Sequence, residues 1–159
     1  MNDHSIETIA YAAGLFDGEG SVCIPYPKSS YGGKRYHRLM VSLASTDPRV
    51  IMWLKEKFGG NISRLRIPLK PQHKLSLRWG CNSLVAEQFL RLIQPYLLIK
   101  AEQVAIAMAF RATTRNAHAG MVNGRHGTSK DPITPDIEAE REGFRQQLLV
   151  LNKRGVALA

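Results

Sequence analysis

Two stretches of this sequence alternate apolar and polar residues, and each is followed at once by a helix signal; that repetition restricts the chain more than any other feature. Leu39, Val41 and Leu43 alternate in the first stretch, and Leu75, Leu77 and Trp79 in the second. A period of two puts the apolar members on one side of a strand and the residues between them on the other. Val22, Ile24 and Tyr26 repeat the pattern ahead of the Gly32-Gly33 loop, so residues 21–27 and the Leu39 strand form a hairpin. A second hairpin is expected over about 62–69 and 74–79, turning at Pro71-Gln72. Asp47-Pro48 then opens a helix with Val50, Ile51, Trp53, Leu54 and Phe58 on its apolar face, stopped by Gly59-Gly60. Ser83 opens another, with Leu84, Phe89, Leu92 and Ile93, ended by Pro95.

Helical spacing also marks Ile6, Ile9, Ala10, Ala13, Gly14 and Asp17 behind a Ser5 cap, which predicts a helix over about 6–17. A fourth helix fits 101–114, residues 116–132 read as a Gly-, Asn- and His-rich loop, and Thr134-Pro135 starts a final helix to about residue 152. The fold class is therefore α+β, with one four-stranded antiparallel sheet, helices on one face and an extra C-terminal helix. At 159 residues and 44% apolar content, one domain is expected, with its core over about 5–115. His73, His118 and His126 lack metal-site spacing and read as loop or surface residues; Trp53, Phe58, Trp79, Phe89 and Phe110 read as core.

Charge is distributed unevenly. Residues 1–27 hold no Lys or Arg and four acids, whereas residues 28–111 hold fifteen Lys or Arg against four acids, within a formal net charge of +9. The middle of the chain is thus the expected polyanion-binding surface, although a merely solvated basic surface has the same composition. Its polar sheet positions are Arg38, Ser42, Arg64, Arg66, Lys70, Lys74, Ser76 and Arg78, and the 28–37 loop adds Lys28, Lys34 and Arg35. No apolar run approaches the roughly 18 residues of a membrane helix and the first residues carry no basic leader, so a soluble intracellular protein is expected. Cys23 and Cys81 are too few for a disulfide framework.

The densest local signal is Ala12-Ala13-Gly14-Leu15-Phe16-Asp17-Gly18-Glu19-Gly20. Ala10, Ala13, Gly14 and Asp17 leave one helix face nearly bare, which lets another helix approach closely, either a partner's or the chain's own layer. Glu19 follows the helix, where the dipole disfavours a carboxylate and a cation would offset it. Hard divalent ions favour carboxylate and carbonyl oxygens, and such ions activate water and stabilise the leaving oxygen in phosphodiester hydrolysis.

This segment resembles the motif of the LAGLIDADG homing endonucleases, specifically the single-motif members that act as homodimers. The resemblance extends through about Thr114 and includes Ser45-Thr46-Asp47-Pro48 and Gln94-Pro95-Tyr96-Leu97-Leu98-Ile99-Lys100. It implies a dimer interface on Ala10, Ala13, Gly14 and Asp17, and a catalytic metal on Glu19 and the Gly18 carbonyl. Asp47 would stand near the hydrolytic water and Lys100 near the scissile phosphate. Glu19 stands where the family name has Asp, and Arg49 is the nearest match to a basic residue of the second helix. The implied activity is cutting of double-stranded DNA at a long, nearly palindromic site, leaving 3′ overhangs. Mg²⁺ is the implied cofactor, with Mn²⁺ able to substitute and Ca²⁺ binding without cleavage. The implied partners are DNA and a second copy of the chain, with no membrane and no small-molecule substrate. A non-cutting protein of the same fold, such as an intron splicing cofactor or a regulator, is the alternative.

Overall fold

The computed structural model describes residues 4–30, 32–65, 72, 74–114 and 133–153. Helix α1 (Ile6–Glu19) is followed by strands β1 (Gly20–Cys23) and β2 (Met40–Ser45), helix α2 (Pro48–Phe58), strands β3 (Asn61–Arg64) and β4 (Leu77–Asn82), helix α3 (Ser83–Ile93), a 3-10 turn (Gln94–Tyr96), and helices α4 (Ala101–Thr114) and α5 (Pro135–Leu151). The strands form one antiparallel sheet in the order β1-β2-β4-β3. This is the expected α+β architecture. Arg66, Lys70, His73, His118, His126 and the 116–132 loop lie outside the described residues.

Local chemistry sets the helix starts. Ser5 Oγ accepts the Thr8 N–H at 3.3 Å, Asp47 Oδ1 the Arg49 N–H at 2.9 Å, and Thr134 Oγ1 the Ile137 N–H at 3.4 Å. Each satisfies a donor that the first turn leaves unpaired. At the other end of α2, Gly59 adopts a left-handed φ of 73° and its carbonyl accepts Trp79 Nε1 at 2.7 Å. That bond fixes the helix end to the centre of the sheet.

Val22, Val41, Leu43, Trp79 and Cys81 make the buried side of the sheet, against which Phe16, Leu54, Phe89 and Leu90 pack. Phe89 is the hub of the aromatic contacts, with Phe16, Phe58 and Trp79 all edge-on to it at 4.9 to 5.7 Å. Burial raises the Cys81 thiol to about 12, so it is an inert core group. One buried polar cluster joins α3 to α4: Glu87 accepts Arg111 Nε at 2.9 Å and Arg91 Nη2 at 2.8 Å, and Arg111 also donates to Thr114.

The first hairpin departs from expectation. β1 ends at Cys23 rather than continuing to residue 27, because Pro25 and Pro27 have no N–H to give the ladder. Their carbonyls still accept Arg38 N at 3.1 Å and Tyr36 N at 3.2 Å, and a bridge pairs Lys28 with Arg35. The result is an arm that extends the sheet without the ladder bonds that residues 25 and 27 would otherwise donate.

Candidate active site and nucleic-acid interface

Helix α1 runs two residues further than its sequence pattern indicates, so that Glu19 is its last residue and the Gly20 N–H closes it on Phe16 O. Three groups from the segment after the 3-10 turn hold this extra length. The Asp17 carboxylate accepts Leu98 N at 2.8 Å and Lys100 N at 2.9 Å, while Lys100 Nζ donates to the Asp17 carbonyl. Burial works to raise the Asp17 carboxyl, but the N–H groups of Leu98, Lys100 and Ile99 and the Lys100 charge outweigh it and hold it below its ordinary value. The ammonium of Lys100 thus sits at the negative end of the α1 dipole, two residues from Glu19.

Glu19 is exposed, and among the described residues no hydrogen bond or ion pair engages its carboxylate. The Gly18 carbonyl is one of the last four of the helix and lacks an intrahelical partner, whereas that of Asp17 is taken by Lys100. A free carboxylate beside a free carbonyl is a hard-oxygen pair that fits Mg²⁺. Among the described residues no group of three or more His, Cys, Asp or Glu is placed to hold a metal.

Sheet register brings Asp47 to the same end of the molecule. Gly20 pairs with Leu43 and Ser45 with Leu77, so the end of β2, the start of β4 and the end of α1 share one edge. Asp47 caps α2 there, but its carboxylate is held by Arg49, with Nε 3.0 Å from Oδ1 and Nη2 2.6 Å from Oδ2. The Arg49 side chain and then its backbone N–H bring the Asp47 carboxyl down to about 2. Arg49, weighed from sequence only as a partial match, stands in the first turn of α2 at this edge.

The bare face of α1 lies differently from its expected position. Ala13 is fully buried against the chain's own core together with Ala12 and Phe16, so it does not belong to a partner-facing stripe. Asp17 is engaged by the Leu98–Lys100 backbone. Ala10, Gly14 and Gly18 are the exposed small residues, spaced four apart, with nothing within 4 Å of a Cβ built at Gly14 or Gly18. Leu98 and Ile99 beside the helix end are 90% and 71% exposed. The helix therefore turns one face inward and leaves one open.

On the outer side of the sheet, Ser42, Gly80 and Asn61 form one row and Ala44, Arg78 and Ser63 the next. Arg38 and Ser42 lie on this side as expected, and Arg78 is exposed on it. Arg64 does not: it pairs with Leu77, on the side of Ile62 and Trp79, and it is Ser63 that faces outward. The single apolar Ile62 sets that parity, a signal the polar run around it obscured. Ser76 Oγ donates to Ser45 O at 3.5 Å, Lys74 is exposed near Asp47, and Lys28, Lys34 and Arg35 are exposed on the arm. Arg38 Nε is buried without a partner among the described residues.

No family model matches the sequence and no curated protein is similar to it. Solved structures are similar in shape. The homing endonuclease I-CvuI, in complex with DNA in the presence of Mg with the DNA not cleaved, superposes with a TM-score of 0.68 at 15% identity, over 95% of this chain and 85% of that one. The archaeal intron-encoded homing endonuclease I-Vdi141I, complexed with DNA, gives 0.65 at 16% identity over 95% and 87%. The LAGLIDADG homing endonuclease I-GzeII, also in complex with a DNA target, gives 0.59 at 16% over 86% of this chain but only 43% of its own length. At such identities the likeness is one of architecture, and this chain has the fold of the LAGLIDADG homing endonucleases.

Proposed function

We propose that this chain is a metal-dependent, sequence-specific endonuclease of double-stranded DNA that works as a homodimer. The observation that carries the proposal is the edge shared by Glu19, Gly18 and Lys100: a free carboxylate and carbonyl beside a fixed ammonium, at one end of a sheet whose outer face is polar and basic. In this reading the outer face and the arm follow a major groove, and Arg38, Ser42, Lys74, Ser76 and Arg78 meet base edges and phosphates. Arg66 and Lys70 belong to the same expected surface. Lys28, Lys34 and Arg35 extend it outward along the backbone.

Glu19 and the Gly18 carbonyl would hold Mg²⁺, which when bound supplies a hydroxide nucleophile and a clamp on the phosphate oxygens; Mn²⁺ would replace it, and Ca²⁺ would bind without supporting the cut. Lys100, steadied by the Asp17 carbonyl, would stabilise charge developing on the scissile phosphate. Asp47, once Arg49 swings to a DNA phosphate, is free to orient water at the same edge. The open Ala10, Gly14 and Gly18 face, with Leu98 and Ile99 alongside, would meet its own copy about a twofold axis, bringing two Glu19 residues together, one for each strand.

Purified protein incubated with a randomised duplex library and Mg²⁺ should give staggered cuts with 3′ overhangs at one related set of sites, read by sequencing the ends. The same library with Ca²⁺ should show enrichment by binding and no cuts. Glu19→Gln should lower the cleavage rate at least about 100-fold while the Kd for the selected duplex stays within about threefold. Full activity in that variant would remove Glu19 from the metal site. Enrichment without cuts in either metal would instead assign the chain as a DNA-binding protein of this fold.

A further inference from the structure

In the arm formed by residues 24–38, Pro25 and Pro27 contribute no N–H, so near its base only the Arg38 and Tyr36 N–H groups cross between the two limbs, with Ser29 N donating to Lys34 O further out. Helix α5 lies alongside it, ties it at two heights and is tied a third time to strand β1 at its base. Asn152 Nδ2, just past the helix end, donates to Val22 O at 2.8 Å; His37 Nε2 donates to Glu142 Oε2 at 2.8 Å; Tyr26 Oη donates to Glu138 Oε1. From Glu138 to Asn152 is ~21 Å at 1.5 Å per residue, so the ties run the length of the helix rather than meeting at a point.

Each tie is itself held. Glu142 also accepts Arg145 Nη1 at 2.7 Å and Gln146 Nε2 at 2.6 Å, the His37 ring is 3% exposed, and Tyr26 packs on it with centroids 4.3 Å apart. The His37 bond, followed by those of Gln146 and Arg145, takes the Glu142 carboxyl down to about 2 against the cost of its burial. α5 is anchored in turn on α4, where Arg141 Nη2 donates to Thr113 O at 2.8 Å. At the far end of this relay, Arg35 Nη1 donates to Tyr26 O at 3.1 Å with its guanidinium 5.8 Å from the Tyr26 ring. A cleft of about 440 Å³ lies between the arm and the start of α5, lined by Tyr26, His37 and Glu138 themselves.

We infer that α5 is a strut that fixes the posture of the DNA-reading arm, with Glu138 and Glu142 as positioning residues for binding at the outer end of each half-site. This rests on the reading that Lys28, Lys34 and Arg35 meet DNA. The sheet register places Glu19 at the opposite end from the arm, so loss of the ties weakens binding and leaves the cutting step alone.

The test uses the full chain carrying Glu138→Ala, Glu142→Ala, and Glu142→Gln, which keeps an acceptor oxygen for His37. Amide hydrogen exchange without DNA should be at least about tenfold faster over residues 26–37 in the two alanine variants, unchanged in β4 and α3, and restored in Glu142→Gln. With the duplex selected by the wild type, Kd should rise about tenfold while the single-turnover cleavage rate at saturating protein is kept. Unchanged exchange in the arm would overturn the strut. Faster exchange with unchanged affinity would overturn the arm's role in binding. Failure of the wild type to bind duplex DNA would sink the nuclease reading, whereas the exchange result would still decide whether α5 braces the arm.

Discussion

Gly20 shows how much one position in the motif is required by packing alone. A Cβ there would fall 2.5 Å from the Phe16 carbonyl oxygen and closer still to the Phe16 ring, which is fully buried and cannot withdraw. Gly20→Ala should therefore cost about 1–3 kcal/mol of stability, read by chemical denaturation. Glu19 was legible because a carboxylate at a helix C-terminus is an anomaly, and anomalies of that kind can be seen one residue at a time. Ala13 and Asp17 were harder, since spacing alone gives a stripe but not which way the helix is rolled. Ala13 is buried by the chain's own core, and the bonds that engage Asp17 come from Leu98 and Lys100, about eighty residues away in the chain. Glu138 and Glu142 look like acids favoured by the first turns of any helix, which conceals that Tyr26 and His37 bond to them.

Among the elements, those whose signals are local were fully readable. The starts of α1, α2 and α5 follow from Ser5, Asp47 and Thr134 with the prolines behind two of them. The ends were less so: α1 continues through Gly18 because Lys100 and the N–H groups near it stabilise the added turn, and β1 stops early for want of two donors. Strand parity failed at β3, where Arg64 takes the register of Ile62 although its side chain stays exposed at the strand's end. The α3–α4 junction had no sequence signal at all. Its Glu87 is 5% exposed and Arg111 4%, so removing one partner leaves a buried charge uncompensated. Glu87→Ala should lower stability by about 3–5 kcal/mol, measured by thermal or urea unfolding, and should do so without a change in the Kd for DNA once corrected for the folded fraction.

For the whole molecule, the open face of α1 makes the strongest statement. A Cβ added at Gly14 meets nothing within 4 Å among the described residues, so Gly14→Leu should leave the isolated chain folded and at least as stable as before. In sedimentation at micromolar concentration, the wild type should run as a dimer and this variant as a monomer, with double-strand cutting lost. A variant that remained dimeric would move the twofold contact elsewhere on the surface.

The opposite placement of α1's end and the β1–β2 arm on one sheet has a consequence for inheritance. In the proposed endonuclease, a residue changed on the arm would alter which sequence is chosen while standing at the far end of the strands from the Glu19 carboxylate, so that it would leave the reaction intact. A gene for such a chain can drift from one target to the next in single steps, keeping a working blade throughout, and an engineer can replace the outer hairpin as a cassette without rebuilding the centre.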